Sequence, residues 1–142
     1  MKEQSEPTAS DEWLVRRIHR KDIYGDPPKV SLYAFKPIVD GKFPDDTGIS
    51  LYRHDCLETV EQALRKVPPE KSGNYGIALL SVKFIRSIGL TIVPEDDEEE
   101  PIIPGHVVLR EINSKRYKSD KDYVLALMDK LARHVNESNK LI

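Results

Sequence analysis

Six polar side chains on or beside the predicted strands carry the chemistry that this sequence offers. They are Arg17, His19, Ser31, Lys36, Ser50 and His106. Guanidinium and ammonium groups hold a phosphate or a carboxylate, and an imidazole moves a proton near neutral pH. If the fold brings these groups together, they form a site that binds an anion and supplies an acid or a base. The candidate catalytic residues are Ser31, Lys36, Ser50 and His106.

A basic cluster lies near the start of the sequence. It consists of Arg16, Arg17, His19, Arg20 and Lys21, flanked by Trp13 and Tyr24. Arginine with aromatic neighbours holds phosphate and stacks a base, as in nucleic-acid grooves. The same pattern is typical of the solvated face of a half-buried element whose arginine stems cover apolar surface. The candidate ligand-binding residues are Arg16, Arg17 and His19, and both interpretations stay open.

His106 is the histidine whose position favours a site role. It follows Pro104-Gly105 at the entrance to an apolar strand, where a side chain is held rigidly at the rim of a sheet. A structural hydrogen bond is the competing interpretation. The four histidines are scattered, and no pair has the short spacing of zinc ligands. His134, among Lys130 and Arg133 on the predicted last helix, is expected at the surface.

Familiar catalytic and cofactor-binding motifs are absent from the sequence. There is no glycine-rich phosphate loop, no nucleophile-elbow serine and no histidine pair at metalloprotease spacing. The six acids at 95–100 lack the glycine and the alternate spacing of a calcium-binding loop, so they predict a solvated loop, with a partner-facing acidic surface as the alternative. We therefore expect no metal and no cofactor.

Composition favours one cytoplasmic domain. The chain has 142 residues, enough for one core, and its formal net charge of -2 creates no global attraction for nucleic acid or an anionic membrane. No apolar run is long enough to span a membrane, and residues 1–11 lack the apolar stretch of a secretory signal. The single Cys56 excludes an intrachain disulfide, which fits a reducing compartment.

Hydrophobic periodicity predicts an α+β fold, a mixed sheet of about four or five strands with two or three helices. The strands are expected at residues 30–35, 49–53, 75–80, 90–93 and 106–110, with 75–80 central, and 13–20 fits a helix or a strand equally. Helices are expected at 55–67, at 82–88 after a Ser81 cap, and from Asp120 to Asn136. Residues 1–11 are a predicted disordered tail, 12–136 the globular domain and 137–142 a frayed end.

The order of several segments resembles a family of small, functionally uncharacterised bacterial proteins. The matching segments, within residues 13–110, are Trp13 with Arg16-Arg17-Ile18, Val30-Ser31 through Ala34-Phe35-Lys36-Pro37, Gly48-Ile49-Ser50-Leu51, and Pro104-Gly105-His106-Val107. The family pattern has a second small hydroxyl residue after Ser31, where this chain has Leu32, so a paired-serine site is not expected here. The resemblance implies a bacterial cytosolic domain and draws attention to Ser31, Lys36, Ser50 and His106 without giving them roles.

Three functions follow as hypotheses. The first is a non-enzymatic accessory or protein-interaction domain in a bacterial defence or toxin-neutralising operon, because the acidic loop and the basic cluster offer surfaces to a partner. The second is a small enzyme or ligand-binding domain for a phosphorylated or nucleotide substrate. The third is non-specific nucleic-acid binding. The expected partner is accordingly another protein, with nucleic acid as the weaker alternative and no membrane, and the oligomeric state is left open.

Overall fold

The described part of the chain forms a main sheet of five strands, in the spatial order β5-β1-β4-β7-β6. In the computed structural model, which describes residues 12–41, 44–97 and 99–142, the strands are β1 (Trp13–His19), β2 (Ile23–Tyr24), β3 (Lys29–Val30), β4 (Ile49–Arg53), β5 (Tyr75–Ser81), β6 (Ile92–Pro94) and β7 (His106–Leu109). The short β2 and β3 form a separate ribbon. Every pairing between described strands is antiparallel, where the sequence predicted a mixed sheet.

Among the described residues, three α-helices accompany the sheet, which confirms the α+β class. They are α1 (Val82–Ser87), α2 (Ser114–Ser119) and α3 (Lys121–Ser138). Shorter 3-10 turns cover Arg20–Asp22, Leu32–Phe35, His54–Cys56, Val60–Leu64 and Pro69–Asn74. The predicted disordered tail, residues 1–11, lies outside the described residues.

Apolar side chains cover both faces of the sheet. On one face, α3 buries Val124, Leu127, Leu131 and their neighbours, which recur at the helical period, in the main core. On the other face, a smaller cluster is formed by Val15, Tyr52, Ala63, Ile77 and Ile103. Strand β1 therefore contributes Leu14 to one face and Val15 to the other, and this explains why its sequence shows no clean alternation.

Two predicted elements were wrong. Residues 30–35 leave the strand at Val30 and turn into a 3-10 helix, because the Ser31 hydroxyl accepts a hydrogen bond from the Tyr33 N–H at 3.1 Å. The helix expected at 55–67 is replaced by the 3-10 turns His54–Cys56 and Val60–Leu64. Gln62 and Ala63 are the buried residues of the second turn, too small an apolar face to stabilise a regular helix.

Strand β5 lies at an edge of the sheet rather than at its centre. The chain end covers this edge, since the Leu79 N–H donates to the Lys140 carbonyl at 2.9 Å and the Ile142 N–H to the Ile77 carbonyl at 2.7 Å. Residues 137–142, predicted to fray, are thus anchored to the sheet. Asn139, in the left-handed conformation with φ of 55°, turns the chain from α3 toward β5. Sequence analysis also missed α2, which Asn113 caps.

His134, predicted at the surface, is only partly exposed and is engaged in the fold. Its Nε2 accepts a hydrogen bond from the Ser81 N–H at 3.1 Å, and its ring stacks on Phe84 with centroids 4.1 Å apart. Burial lowers the pKa of His134, against a raising effect of Glu137. The imidazole therefore joins α3 to the start of α1 in its neutral form.

We expect acidification to weaken the fold through His134. The histidine of the unfolded chain has the ordinary pKa, so as the pH falls it is protonated at a higher pH than His134 of the folded protein. Protonation therefore stabilises the unfolded state, and the free energy of unfolding falls as the pH drops below about 6.5. Urea unfolding from about pH 8 to about pH 5 measures this slope. The slope becomes flatter in His134→Gln, and an equal slope in the two proteins contradicts the assignment.

We also expect Gly48→Ala to destabilise the fold. Gly48 has φ of 140° just before β4, and a Cβ there would overlap the Leu109 carbonyl. The free energy of unfolding should fall by roughly 1–3 kcal/mol or more. Gly73→Ala is the matched control, because a Cβ at Gly73 meets nothing within 4 Å. Equal denaturation midpoints for the two variants would contradict this expectation.

Candidate functional site

A cleft of about 680 Å³ opens beside β1 and β4, under the segment 33–40. Its charged and polar lining side chains are Arg16, Arg17, His19, Lys21, Asp22, Lys36, Asp40, Asp45 and Ser50, and its aromatic ones are Tyr33, Tyr52 and Tyr75. Five of the site residues expected from the sequence thus meet in one place: Arg16, Arg17, His19, Lys36 and Ser50.

The cleft lies where the pairing of β1 with β4 ends. These strands are paired at two positions, Leu14 with Arg53 and Val15 with Tyr52, whereas the pairing of β1 with β5 runs along the whole strand. Beyond Val15, where β1 and β4 are no longer paired, the Arg16 side chain extends from β1 to β4. Its Nη1 donates to the Ser50 carbonyl at 2.8 Å and its Nε to the Ala34 carbonyl at 3.0 Å. A guanidinium therefore supplies hydrogen bonds where backbone pairing stops.

Arg16 also presents donors to the cleft. Burial lowers its pKa to about 10, with a raising effect of Asp45, so the group is charged at neutral pH. A guanidinium has five N–H donors, and the two bonds to carbonyls leave the others without a described acceptor. Among the described residues, no fully buried side-chain nitrogen or oxygen lacks a hydrogen bond. Arg16 Nη2, which bonds no described acceptor, is therefore not fully buried, and Arg16 lines the cleft.

Two further cations of the cleft have weak protein contacts. Arg17 Nη1 donates to the Ala63 carbonyl at 3.4 Å, and Lys36 Nζ lies 5.5 Å from the Tyr117 ring centroid. Within the described ranges, neither is within 4.0 Å of a carboxylate oxygen, and the same is true of Arg16. These three cations thus have no described ion pair, in a cleft that Asp22, Asp40 and Asp45 also line.

Asp45 holds the loop that borders the cleft. Its Oδ2 accepts the Ile38 N–H at 2.7 Å, and its own carbonyl accepts the Ser114 N–H at 2.9 Å. Burial raises the pKa of Asp45, opposed by the Ile38 hydrogen bond and by the charges of Arg16 and Arg17. The carboxylate is thus engaged in structure, and it offsets part of the positive charge around it.

Ser50 and His106 are brought together by the register of β4 with β7. Ser50 Oγ lies 3.0 Å from His106 Nε2, and His106 Nδ1 lies 2.9 Å from the Glu95 carbonyl oxygen. A carbonyl only accepts, so Nδ1 carries the hydrogen, and Nε2 of the neutral ring accepts the Ser50 hydroxyl proton. His106 is 9% exposed and sits behind Ser50, which lines the cleft.

Ser31 and His19 differ in their relation to the cleft. Ser31 lies outside it, where it caps the 3-10 helix Leu32–Phe35 and borders a second cleft of about 400 Å³ near Asn136. His19 lines the main cleft, accepts the Lys21 N–H at 3.1 Å and packs edge-on against Tyr75. Of the four candidate catalytic residues, Ser31 is therefore the one that the fold sets apart.

Sequence reasoning missed the aromatic side of the site. Tyr52 lines the cleft two residues after Ser50, and burial raises the pKa of its hydroxyl. Tyr33 stands at the rim with 55% of its surface exposed. The period-two alternation of β4 was the signal for Tyr52 once Ser50 had been chosen. No local signal pointed to Tyr33, because its position depends on the 3-10 turn.

The acidic segment is partly tied to the fold. Asp97 Oδ2 accepts the Ile103 N–H at 2.8 Å, and Asp97 Oδ1 lies 2.9 Å from Lys66 Nζ. Glu98 is outside the described residues. In the described part of the chain, no group of three or more histidine, cysteine or acidic residues is placed to hold a metal ion. None of the helices described there has the length and apolarity needed to cross a bilayer.

No protein-family model, curated protein or solved structure matches this chain. The resemblance to a bacterial family therefore stays a prediction, and the functional argument depends on the geometry of the cleft.

We expect Arg16→Met to lower the free energy of unfolding by about 2–3 kcal/mol. The reason is that the carbonyls of Ala34 and Ser50 lose a charged donor in a partly buried place. Arg20→Met is the matched control, because exposed Arg20 bonds one carbonyl, that of Gly73, and should change stability by about 0.5 kcal/mol or less. Urea denaturation measures both. Similar values for the two variants would show that Arg16 does not join the strands.

Proposed function

We propose that the protein is a small enzyme or ligand-binding domain that takes a phosphorylated or nucleotide ligand in this cleft. The observation that carries the proposal is Arg16, which lines the cleft with an Nη2 that bonds no described acceptor and with no described carboxylate oxygen within 4.0 Å. A partly buried cation is unfavourable unless an anion complements it. Arg17 and Lys36 add charge at the same place. A phosphate, which accepts several charge-assisted hydrogen bonds, is suited to such a set of donors.

The aromatic rim favours a nucleotide over free phosphate. Tyr33, more than half exposed, and Tyr75 border the same cleft as the cations. A nucleobase stacks on an aromatic face and gains about 1–3 kcal/mol. The cleft volume, about 680 Å³, is also in the range of small-molecule sites. We infer that the phosphates bind Arg16, Arg17 and Lys36 while the base packs at the tyrosine rim.

The accessory or protein-interaction function, with its bacterial operon and cytoplasmic setting, stays a prediction, as does binding of nucleic acid. Contacts within the described residues do not favour either one. Asp97, in the acidic segment, is engaged by Lys66 and the Ile103 N–H. Several cations of the basic cluster line one cleft of small-molecule size, which favours a small ligand over a polymer.

Thermal unfolding with ADP, AMP or inorganic pyrophosphate tests this proposal. A ligand that binds the folded state alone stabilises it by about 2.7 kcal/mol at a hundredfold excess over Kd, so Tm rises with concentration. The double variant Arg17→Met with Lys36→Met should bind ADP at least about tenfold more weakly. Lys83→Met is the control, since Lys83 is an exposed lysine outside the cleft and its loss should leave binding unchanged.

The proposal fails if none of these anions raises Tm at low ionic strength. It also fails if the Arg17 and Lys36 double variant responds to ADP as the unchanged protein does. A larger rise for ADP than for pyrophosphate supports the role of the tyrosine rim, and Tyr33→Ala should remove that difference.

A further inference from the structure

We propose that Ser50 is a nucleophile, activated by His106, that takes an acyl group from an ester whose other part carries the anion held in the cleft. This inference rests on the proposed function, because the cations position the ester. The supporting geometry is a chain of two hydrogen bonds, Ser50 Oγ to His106 Nε2 at 3.0 Å and His106 Nδ1 to the Glu95 carbonyl at 2.9 Å. A nucleophile bonded to a base, with the base oriented by a third group, is the arrangement of serine acyl transfer.

The Glu95 carbonyl decides which nitrogen of His106 is basic. Because the carbonyl accepts the hydrogen of Nδ1, the lone pair of the neutral ring is on Nε2, toward Ser50. His106 is almost fully buried, so its ring is held in this orientation, and Ser50 lies between it and the cleft. The hydroxyl is therefore open to a ligand on one side and bonded to a base on the other.

A second serine and histidine pair in the chain has the opposite arrangement. Ser138 Oγ lies 3.5 Å from His134 Nδ1, but His134 Nε2 accepts the Ser81 N–H. In the neutral ring, the hydrogen must then be on Nδ1, which has no lone pair for the Ser138 proton. Ser138 is thus an internal control, near a histidine but not activated by it.

Arg16 is placed to stabilise the charge that forms in such a reaction. Its Nη1 donates to the carbonyl of Ser50 itself, and its Nη2, which is not fully buried, belongs to a side chain that lines the cleft. When a hydroxyl attacks an ester carbonyl, negative charge develops on the carbonyl oxygen, and a preorganised donor lowers that barrier. Phosphoryl transfer has a loose transition state and depends mainly on positioning and charge, so it gains little from a base at the nucleophile. The base bonded to Ser50 therefore favours attack on a carbonyl carbon over attack on phosphorus.

The steps balance with water as the second substrate. Ser50 Oγ bonds to the carbonyl carbon as its proton moves to His106 Nε2. The bond from that carbon to the carrier oxygen then breaks, and the carrier leaves with the proton from Nε2. Water attacks the acyl-serine and gives a proton to Nε2, the bond to Oγ breaks, Ser50 regains its proton and a carboxylic acid leaves. The net reaction is hydrolysis of the ester.

Reaction with a fluorophosphonate tests the nucleophile without knowledge of the substrate. This reagent forms a bond between phosphorus and an activated serine oxygen and releases fluoride. Peptide mass spectrometry should find one adduct, on Ser50, and none on Ser138 or the exposed Ser119. His106→Gln should slow the reaction by about a hundredfold or more.

Stabilisation by ADP, measured on the same samples, shows that the variants are folded and separates the two proposals. Ser50→Ala keeps the cations, so it should lose the adduct and keep the Tm rise with ADP. No adduct on Ser50 in a protein that ADP stabilises overturns the nucleophile and leaves anion binding in place. Labelling that is unchanged in His106→Gln, or spread over exposed serines, also overturns it. If Ser50 is labelled but neither ADP nor pyrophosphate stabilises the protein, the part of the proposal in which the leaving group of the ester carries an anion is overturned.

Discussion

The site depends on the position of one arginine between two strands that part. Strands β1 and β4 are paired for two residue pairs, and then Arg16 bridges the gap to the carbonyls of Ser50 and Ala34. A strand edge with unpaired carbonyls is unfavourable in a protein interior, and a charged donor satisfies it. The same side chain thus holds β1, β4 and the turn at Leu32–Phe35 in one arrangement, and this arrangement forms the cleft.

Placing a guanidinium there has an electrostatic consequence. Its desolvation is visible in the lowered pKa of Arg16, and the raised pKa of Asp45 shows that the nearby carboxylate is desolvated as well. A fold selected for stability alone would complete the ladder with backbone hydrogen bonds or pair the charge closely. A partly buried charge without a close ion pair is characteristic of ligand-binding sites, where the unoccupied protein is less stable than it would be with the charge paired.

His106 and His134 show how little of a histidine's chemistry is decided by its neighbours in the sequence. His106 and His134 have the same side chain, and each has a serine hydroxyl close to one nitrogen. The difference lies in the opposite nitrogen. In His106, a carbonyl accepts the hydrogen of Nδ1, so the lone pair is on the nitrogen that faces the serine. In His134, a backbone N–H donates to Nε2, so the lone pair is on the nitrogen that faces away from the serine. The partner across the ring, supplied by a distant segment, therefore decides which serine is activated.

The sequence by itself determined the elements that long periodicity or strong caps specify. It predicted α3, the short helix α1 after its Ser81 cap, and strands β4 and β7, because these segments bury a regular apolar pattern. It also marked Arg16, Arg17, Lys36, Ser50 and His106, since polar groups beside apolar strands are few. The strand predicted at 30–35 was wrong because the Ser31 side chain caps a 3-10 helix there. The helix predicted at 55–67 was wrong because the segment has too small an apolar face.

Only the tertiary structure decided which of these residues meet. Ser31 was as good a candidate as Ser50 in the sequence, yet its hydroxyl caps a turn while Ser50 faces both the cleft and His106. The contacts that matter join residues far apart in the chain: Arg16 with Ser50, Ser50 with His106, and the chain end with β5. These contacts are set by the register of β4 with β7 and by the point at which β1 and β4 stop pairing. Neither can be predicted from a short segment of the sequence, because both depend on the packing of the whole sheet.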